Sequence, residues 1–392
     1  MNFFILIKLF QLNKSFYGDF LMTEVDHYEN VRRKMRIGQL GTPKHKKTIE
    51  FLKVLYDDEE IELLDNFERG YQLLSPAKLA KKAGWDKDKV KNILKRLGKR
   101  GAIFHMGGNY GLINLVPGFF EHYILTRGDS EENTIKVAEY LRWAFLNLTP
   151  QMFNNMDPPI WLPKLPYDAE DKLIEIDEAI PLKDQQVFTG EMVRELINKN
   201  DYFAKVYCQC REVGELTGNP CEIPRDLGCL LCGLTAKIGV DAGWAEEIPT
   251  KEDAIKYTKE CEKAGLVHYG MNMGAITFIC NCCRCHCCGL AGMAKIGVAD
   301  YGKSNFQPKW NPELCIFCDK CVKVCPMEAI LHQHPVKDEN DKMIYNLQNC
   351  LGCGLCAANC PKEAITLVKV RTNPTPEMGG IGKQIQEGLT GK

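Results

Sequence analysis

The sequence predicts an α+β chain in three folded parts, and three observations carry that reading. Near the C-terminus one four-cysteine run occurs twice, the end of each copy falling in a helix-like stretch, Val322 to Ala329 and Ala357 to Ala364, that precedes a strand-like one, Ile330 to His332 and Ile365 to Val370. Between residues 208 and 288 cysteines crowd at spacings too dense for core packing. Towards the N-terminus an amphipathic helix pair leads into two apolar stretches separated by Gly107-Gly108. A length of 392 residues suits two to three domains, and a 45% hydrophobic composition builds ordinary cores without covalent staples. The formal net charge of -1 gives no global pull towards nucleic acid or a membrane, so any such contact needs a local patch.

Met1 to Phe10 reads MNFFILIKLF, yet it carries Lys8, lacks a basic leader region and a small-residue cleavage site, and is too short to span a bilayer. Residues 1–22 are therefore expected to be a non-native or disordered extension, with a natural start at Met22. The first domain is placed at 23–127. Ser75 caps a short helix, Ala77 to Ala83, that stops at Gly84, and Asp86 caps the next. In that second helix Val90, Ile93, Leu94 and Leu97 recur at helical spacing and face a core, with Lys91, Asn92, Lys95, Arg96 and Lys99 on the opposite side. Ten basic and two acidic residues lie between Lys78 and Arg100. Ala102 to Met106 and Tyr110 to Leu115 flank a glycine turn in the pattern of a hairpin.

Helix, turn, helix, hairpin resembles a winged helix, so the N-terminal domain is expected to be winged-helix-like. The resemblance implies that the second helix enters a DNA major groove, with Lys91, Asn92, Lys95, Arg96 and Lys99 as tentative contacts. Such a face supplies phosphate affinity rather than base readout. A solvated helix face or a protein-docking surface has the same pattern.

Residues 128–170 read as a helix, Glu131 to Leu148, followed by a connector rich in proline at Pro158, Pro159, Pro163 and Pro166. Trp161 and Tyr167 in it call for packing against a neighbour.

The central cysteine-rich α+β domain is placed at 171–304. Cys208-Gln209-Cys210-Arg211 is followed by Cys221, Cys229 and Cys232, and Ile279 to Gly289 reads ICNCCRCHCCG. On an extended strand Cys283, Cys285 and Cys287 would share one face and Cys280, Cys282 and Cys288 the other, so that one strand could serve two centres. Three readings are open for Cys208, Cys210, Cys221, Cys229, Cys280, Cys282, Cys283, Cys285, Cys287 and Cys288: one or two further iron-sulfur clusters, structural zinc, or redox-active thiols with Cys282-Cys283 or Cys287-Cys288 as the vicinal pair. Arg211 and Arg284 could donate hydrogen bonds to cluster sulfides. Cys261, on the apolar side of a helix capped by Thr250, reads as a small buried hydrophobe.

The C-terminal domain, 305–371, holds Cys315, Cys318, Cys321, Cys325-Pro326 and Cys350, Cys353, Cys356, Cys360-Pro361. Each run reads CxxCxxCxxxCP. CxxCxxC lets the backbone curl round one corner of a cubane, and the fourth cysteine lies too far along to close the same cluster. Cys315, Cys318, Cys321 and Cys360 are thus expected to hold one [4Fe-4S] cluster, and Cys350, Cys353, Cys356 and Cys325 the other. Ile316, Phe317, Leu351 and Leu355 are expected to shield the sulfurs. Structural zinc usually takes two separated cysteine pairs, and disulfide scaffolds belong to short secreted chains, so neither matches two identical runs. Residues 305 to 370 resemble the 2[4Fe-4S] ferredoxin family, which implies a pseudo-twofold dicluster ferredoxin-like fold. A flexible tail, 372–392, is expected to follow.

Over residues 23 to 370 the chain resembles cysteine-rich 4Fe-4S proteins of anaerobic bacteria and archaea, on the CxCR run, the ICNCC run and the two ferredoxin runs. His286 departs from the pattern, standing where cysteine is expected. The function expected is an electron-transfer protein that relays single electrons through two C-terminal [4Fe-4S] clusters, and through further central clusters, to a partner oxidoreductase. The alternatives are a redox-responsive DNA-binding regulator, or an oxidoreductase subunit with a catalytic central cluster. Neither GxGxxG nor a P-loop is present, so nucleotide cofactors belong to a partner. Thiols in metal-ligand spacing need a reducing interior, which points to the cytoplasm of an anaerobe rather than to a membrane.

Overall fold

The computed structural model describes residues 25–37, 40–150, 161–169, 174–176, 190–272, 278–296, 302–333 and 341–372. The extension 1–22, Pro158 and Pro159 of the connector, and the tail beyond 372 lie outside these residues.

The first body is mainly helical, and local sequence sets its elements. Ser75 caps the helix Pro76–Ala83, which ends at Gly84 with φ 70°, and the Asp86 carboxylate accepts from the Lys89 amide at 2.8 Å to start the helix Lys87–Arg100. Val90, Ile93, Leu94 and Leu97 are buried, as their spacing predicts. The hairpin pairs Phe104–Met106 with Asn109–Gly111, shorter than expected. Its two turn residues, Gly107 and Gly108, both have positive φ, 57° and 76°, as a twist-matched two-residue turn requires. The second arm stops early because the chain winds into a π-helical turn, Leu115–Phe119, and then the helix Phe120–Thr126.

The helix Glu131–Asn147 differs from its expected place in a connector. Val137, Leu141, Ala144 and Phe145 sit in the same core as Leu52, Phe119 and Phe120, and Tyr140 stacks on Phe51 at 4.2 Å. It therefore completes the first body. His122 lies in this body with its Nε2 3.2 Å from the Ile103 carbonyl oxygen, and burial pulls its pKa down to about 4. Between the unfolded value near 6.5 and that folded value, the unfolded chain takes up a proton that the folded chain refuses. Stability is therefore expected to fall as pH drops through this window, by up to about 3 kcal/mol. Urea unfolding at several pH values, compared with His122→Gln, checks this: the substitution should flatten the acid limb.

The central body is a six-stranded antiparallel sheet in the order Trp161–Pro163, Val267–Met271, Phe278–Cys282, Cys229–Cys232, Phe203–Val206 and Glu246–Ile248. The proline connector thus ends as an edge strand, a position that tolerates Pro163. On one face the helix Lys251–Lys263 packs Ala254, Tyr257 and Cys261 against Phe203, Leu230 and Ile279. Cys261 is fully buried, as its apolar helix position implies.

In the C-terminal module Phe306–Trp310 pairs antiparallel with Ile365–Lys369, and Ile330–Gln333 pairs with Lys342–Tyr345. Ile174–Ile176 joins the first of these sheets, parallel to Ile365–Lys369. The boundary drawn at 305 therefore leaves out one strand of this sheet, recruited from far upstream. The two cysteine runs share one backbone design: Phe317 and Gly352, Asp319 and Gly354, and Glu328 and Glu363 all have positive φ at equivalent positions. The helices Lys320–Val324 and Leu355–Ala358 are shorter than the helical stretches read from sequence, since the chain is extended at Cys325 ahead of Pro326. Among the described residues no helix is long and apolar enough to cross a membrane.

Candidate metal centres

Cys315, Cys318, Cys321 and Cys360 line one small cavity of the C-terminal module, and Cys325, Cys350, Cys353 and Cys356 line a second. Each cavity takes three thiols from one run and the fourth from the other. Backbone amides are already aimed at the sulfurs in duplicate. Phe317 N donates to Cys315 Sγ and Gly352 N to Cys350 Sγ, both at 3.4 Å, while Ala329 N donates to Cys325 Sγ at 3.2 Å and Ala364 N to Cys360 Sγ at 3.3 Å. A Cβ on Gly352 would lie 2.1 Å from the Phe306 carbonyl oxygen, so the close turn there requires glycine.

These residues fit a pair of cubanes. The donors are soft thiols, and two buried polar groups on the walls, the Trp310 indole N–H and the Tyr345 hydroxyl, find no partner among the described residues. Tyr345 borders both cavities. Burial pushes the thiols of Cys325, Cys350, Cys353 and Cys356 up and Cys321 up to about 11, so a bound cation must drive their deprotonation. Leu351 and Leu355 are buried over the second site, as expected. Ile316 departs from its expected shielding role: it is 51% exposed beside an exposed Cys318, because the first cavity opens at the molecular surface.

The central cysteines separate into two groups. Cys208, Cys210, Cys229, Cys280, Cys282, Cys287 and Cys288 line an apolar cavity of about 320 Å³ between the first body and the central sheet. Cys280 and Cys282 share a face of their strand, and Cys229 Sγ lies 3.4 Å from Cys280 Sγ. The side-chain contact with Cys229 lowers Cys280 to about 6 and raises Cys229. Trp161, Phe120 and Phe278 supply apolar wall, and Glu121 borders the space with its carboxyl pushed up to about 7 by burial. A Cβ on Gly228 would meet the Val206 carbonyl oxygen at 1.9 Å and the Cys208 amide at 2.5 Å, so this glycine lets the chain leading into Cys229 close up on the chain leading into Cys208.

Cys221, Cys283, Cys285 and His286 form the other group, with all four donor atoms within 4.8 Å of one another. The grouping expected from alternation therefore holds for Cys280, Cys282 and Cys288 and for Cys283 and Cys285, and fails at Cys287. The strand ends at Cys282 and the chain turns, with Cys287 N donating to Cys283 O at 3.4 Å, which carries Cys287 to the side of Cys280 and Cys282. Cys283 and Cys285 stay together because the turn folds both towards Cys221. Of the two arginines expected beside clusters, Arg211 is fully buried and lies against the thiols of Cys208 and Cys283. Arg284 instead binds Glu328 at 2.5 Å. Cys232 is a buried thiol held up to about 12 by desolvation.

Lys91, Asn92, Lys95, Arg96 and Lys99 are exposed on one face of the helix Lys87–Arg100. The Arg96 guanidinium is engaged by buried Glu60 at 2.8 Å, and Lys89 by Glu59 at 2.7 Å. The preceding acidic helix Asp58–Leu64 thus neutralises part of the basic face.

Thiol cavities with amide donors define a metalloprotein. The family model of the 4Fe-4S dicluster domain matches residues 314–364, a span that contains all eight cysteines of the two runs. The module carries two [4Fe-4S] clusters, and its chemistry supports an iron-sulfur electron-transfer role. No curated protein and no solved structure matches the chain.

Proposed function

We propose that the chain is an electron relay: single electrons enter at the C-terminal cluster nearest the surface, pass to the second cluster, and continue to a further iron-sulfur centre in the seven-thiol cavity before reaching a partner oxidoreductase. In this reading Cys315, Cys318, Cys321 and Cys360 hold the entry cluster and Cys325, Cys350, Cys353 and Cys356 hold the next. The observation that carries it is continuity. Cys282 and Cys287 of the central cavity belong to one buried apolar cluster with Leu351, Leu355 and Met327, and Cys325, Cys350 and Cys353 pack against that same cluster. Tyr345 joins the two C-terminal sites in the same way. Partner docking at the entry cluster is supported by exposed Leu314, Ile316 and Cys318 around its rim.

The clusters would supply one-electron chemistry; the chain's own residues set its direction. The Tyr345 hydroxyl borders both sites and has no partner among the described residues, so with a cluster bound it would donate to a cluster sulfur and favour the reduced state, which carries more negative charge. Tyr345→Phe is expected to move at least one C-terminal potential to a more negative value, by up to roughly 40 mV, the equivalent of one hydrogen bond of about 1 kcal/mol. A redox titration followed by electron paramagnetic resonance reads this shift.

The relay itself is tested by stopped-flow reduction of the wild type and of Cys353→Ser. Reduction of the central centre slowed at least tenfold in the variant supports the relay. An unchanged rate, or no iron in the central cavity, removes it.

A second reading, an oxidoreductase subunit with a catalytic centre, is favoured by the cavity itself. About 320 Å³ of apolar space beside seven thiols is large enough for a small substrate, and the Glu121 carboxyl on its wall can move a proton. Perturbation of the central centre's spectrum by added cyanide or azide tests for an open coordination position; spectra unchanged by either ligand contradict it.

A further inference from the structure

We propose that Cys221, Cys283, Cys285 and His286 bind one zinc ion in a closed site, separate from every iron-sulfur centre of the chain. The distances and the mixed thiol and imidazole donor set suit a single ion. Cys221 Sγ lies 3.5 Å from Cys285 Sγ, His286 Nδ1 lies 3.0 Å from Cys285 Sγ, and all four donors fall within 4.8 Å of one another. A tetrahedral ion with Zn–S near 2.3 Å spaces its sulfurs by about 3.8 Å. Cubane thiolates bond four different irons around a cage and stand further apart than this. None of the four residues lines the seven-thiol cavity.

The imidazole is already oriented as a ligand. His286 Nε2 lies 2.8 Å from the Asn219 carbonyl oxygen, so Nε2–H donates to it and the bare Nδ1 faces the thiols. This is the outer hydrogen bond that metal-bound histidines make. A Cβ on Gly214 would come within 2.4 Å of the His286 ring, so the helix Gln209–Leu216 is shaped to admit the imidazole.

Charge follows the same logic. Loading one Zn²⁺ forms three Zn–S bonds and one Zn–N bond, and three thiol protons leave to solvent. The site is left with a net charge of -1. Arg211 is fully buried, its Nε has no partner among the described residues, and it lies beside the thiols of Cys283 and Cys221 as well as that of Cys208 in the neighbouring cavity. It supplies a positive charge that both sites share. Four protein ligands leave no open position, which makes the site structural: it ties the loop after the helix Gln209–Leu216 to the turn that closes the cysteine run.

The test is zinc and iron content per chain on anaerobically purified full-length protein, with zinc-edge X-ray absorption on the wild type. About one zinc with three sulfur neighbours and one nitrogen neighbour is expected. Cys285→Ser, at the exposed ligand, should lose at least nine-tenths of its zinc to a chelator wash while its iron is unchanged. A wild-type chain without zinc, zinc with four sulfur neighbours, or iron lost together with zinc in Cys285→Ser would each overturn the proposal. The wild-type absorption edge decides the matter even if the variant does not fold. A wild-type chain that holds iron without zinc would overturn this site and leave the relay standing, so the two failures are distinguishable.

Discussion

Cys360→Ser is expected to remove the cluster of the first cysteine run and leave that of its own run in place. Cys360 closes the cavity of Cys315, Cys318 and Cys321, while Cys325 from the first run closes the cavity of Cys350, Cys353 and Cys356. Iron in the module should fall from about eight atoms to about four. Cys325→Ser should remove the other four. The two variants then have complementary spectra after reduction, each retaining the signal that the other lacks. Loss of the second-run cluster alone in Cys360→Ser would contradict the crossed arrangement. The effect is large because serine offers a harder, less acidic donor at a site where the thiolate is one of only four attachments.

Stripping the metal is expected to unfold the C-terminal module while the first body stays folded. Much of the module's interior is sulfur: Cys315, Cys321, Cys325, Cys356 and Cys360 belong to or pack against the same cluster as Phe306, Ile330 and Leu367. Without cations the buried thiols of Cys353 and Cys356 revert to the protonated form that burial favours. They then line voids, and the binding free energy that had been folding free energy is lost. Chelation under mild oxidation should raise amide exchange across residues 314–364 at least a hundredfold, which corresponds to about 3 kcal/mol. The helix Lys87–Arg100, packed on Val90, Ile93, Leu94 and Leu97, should keep its protection. Unchanged exchange in the module would show that its packing is sufficient without clusters.

The sequence was most legible where the chemistry is covalent or local. The eight cysteines of the two runs, singled out by their spacing, line two cavities, and Ser75, Gly84, Asp86 and the Gly107-Gly108 turn fixed their elements with short-range signals alone. Non-local pairing was not legible. Nothing in Ile174–Ile176 announces a parallel partner as remote as Ile365–Lys369, and Trp161–Pro163 reads as a connector because proline is a weak strand former until an edge position accepts it. In the ICNCCRCHCCG run the grouping expected from period-two alternation held except at Cys287, which crossed to the side of Cys280 and Cys282. The point where a strand yields to a turn depends on Cys221 and Asn219 arriving from another part of the chain. His286 looked like a departure from a cysteine pattern, and its meaning came only with the Asn219 carbonyl that orients it. The acidic helix Asp58–Leu64 was likewise outside the basic-face argument, although Glu59 and Glu60 engage Lys89 and Arg96.

An anaerobic reductive titration, with iron and sulfide counted on the same sample, shows whether the C-terminal module works as a two-cluster electron carrier. About eight irons and eight sulfides in the module are expected, with two reversible one-electron steps and magnetic interaction between neighbouring clusters in the doubly reduced form. A module that holds zinc in place of iron, or one whose clusters take up no electron reversibly, would contradict that role.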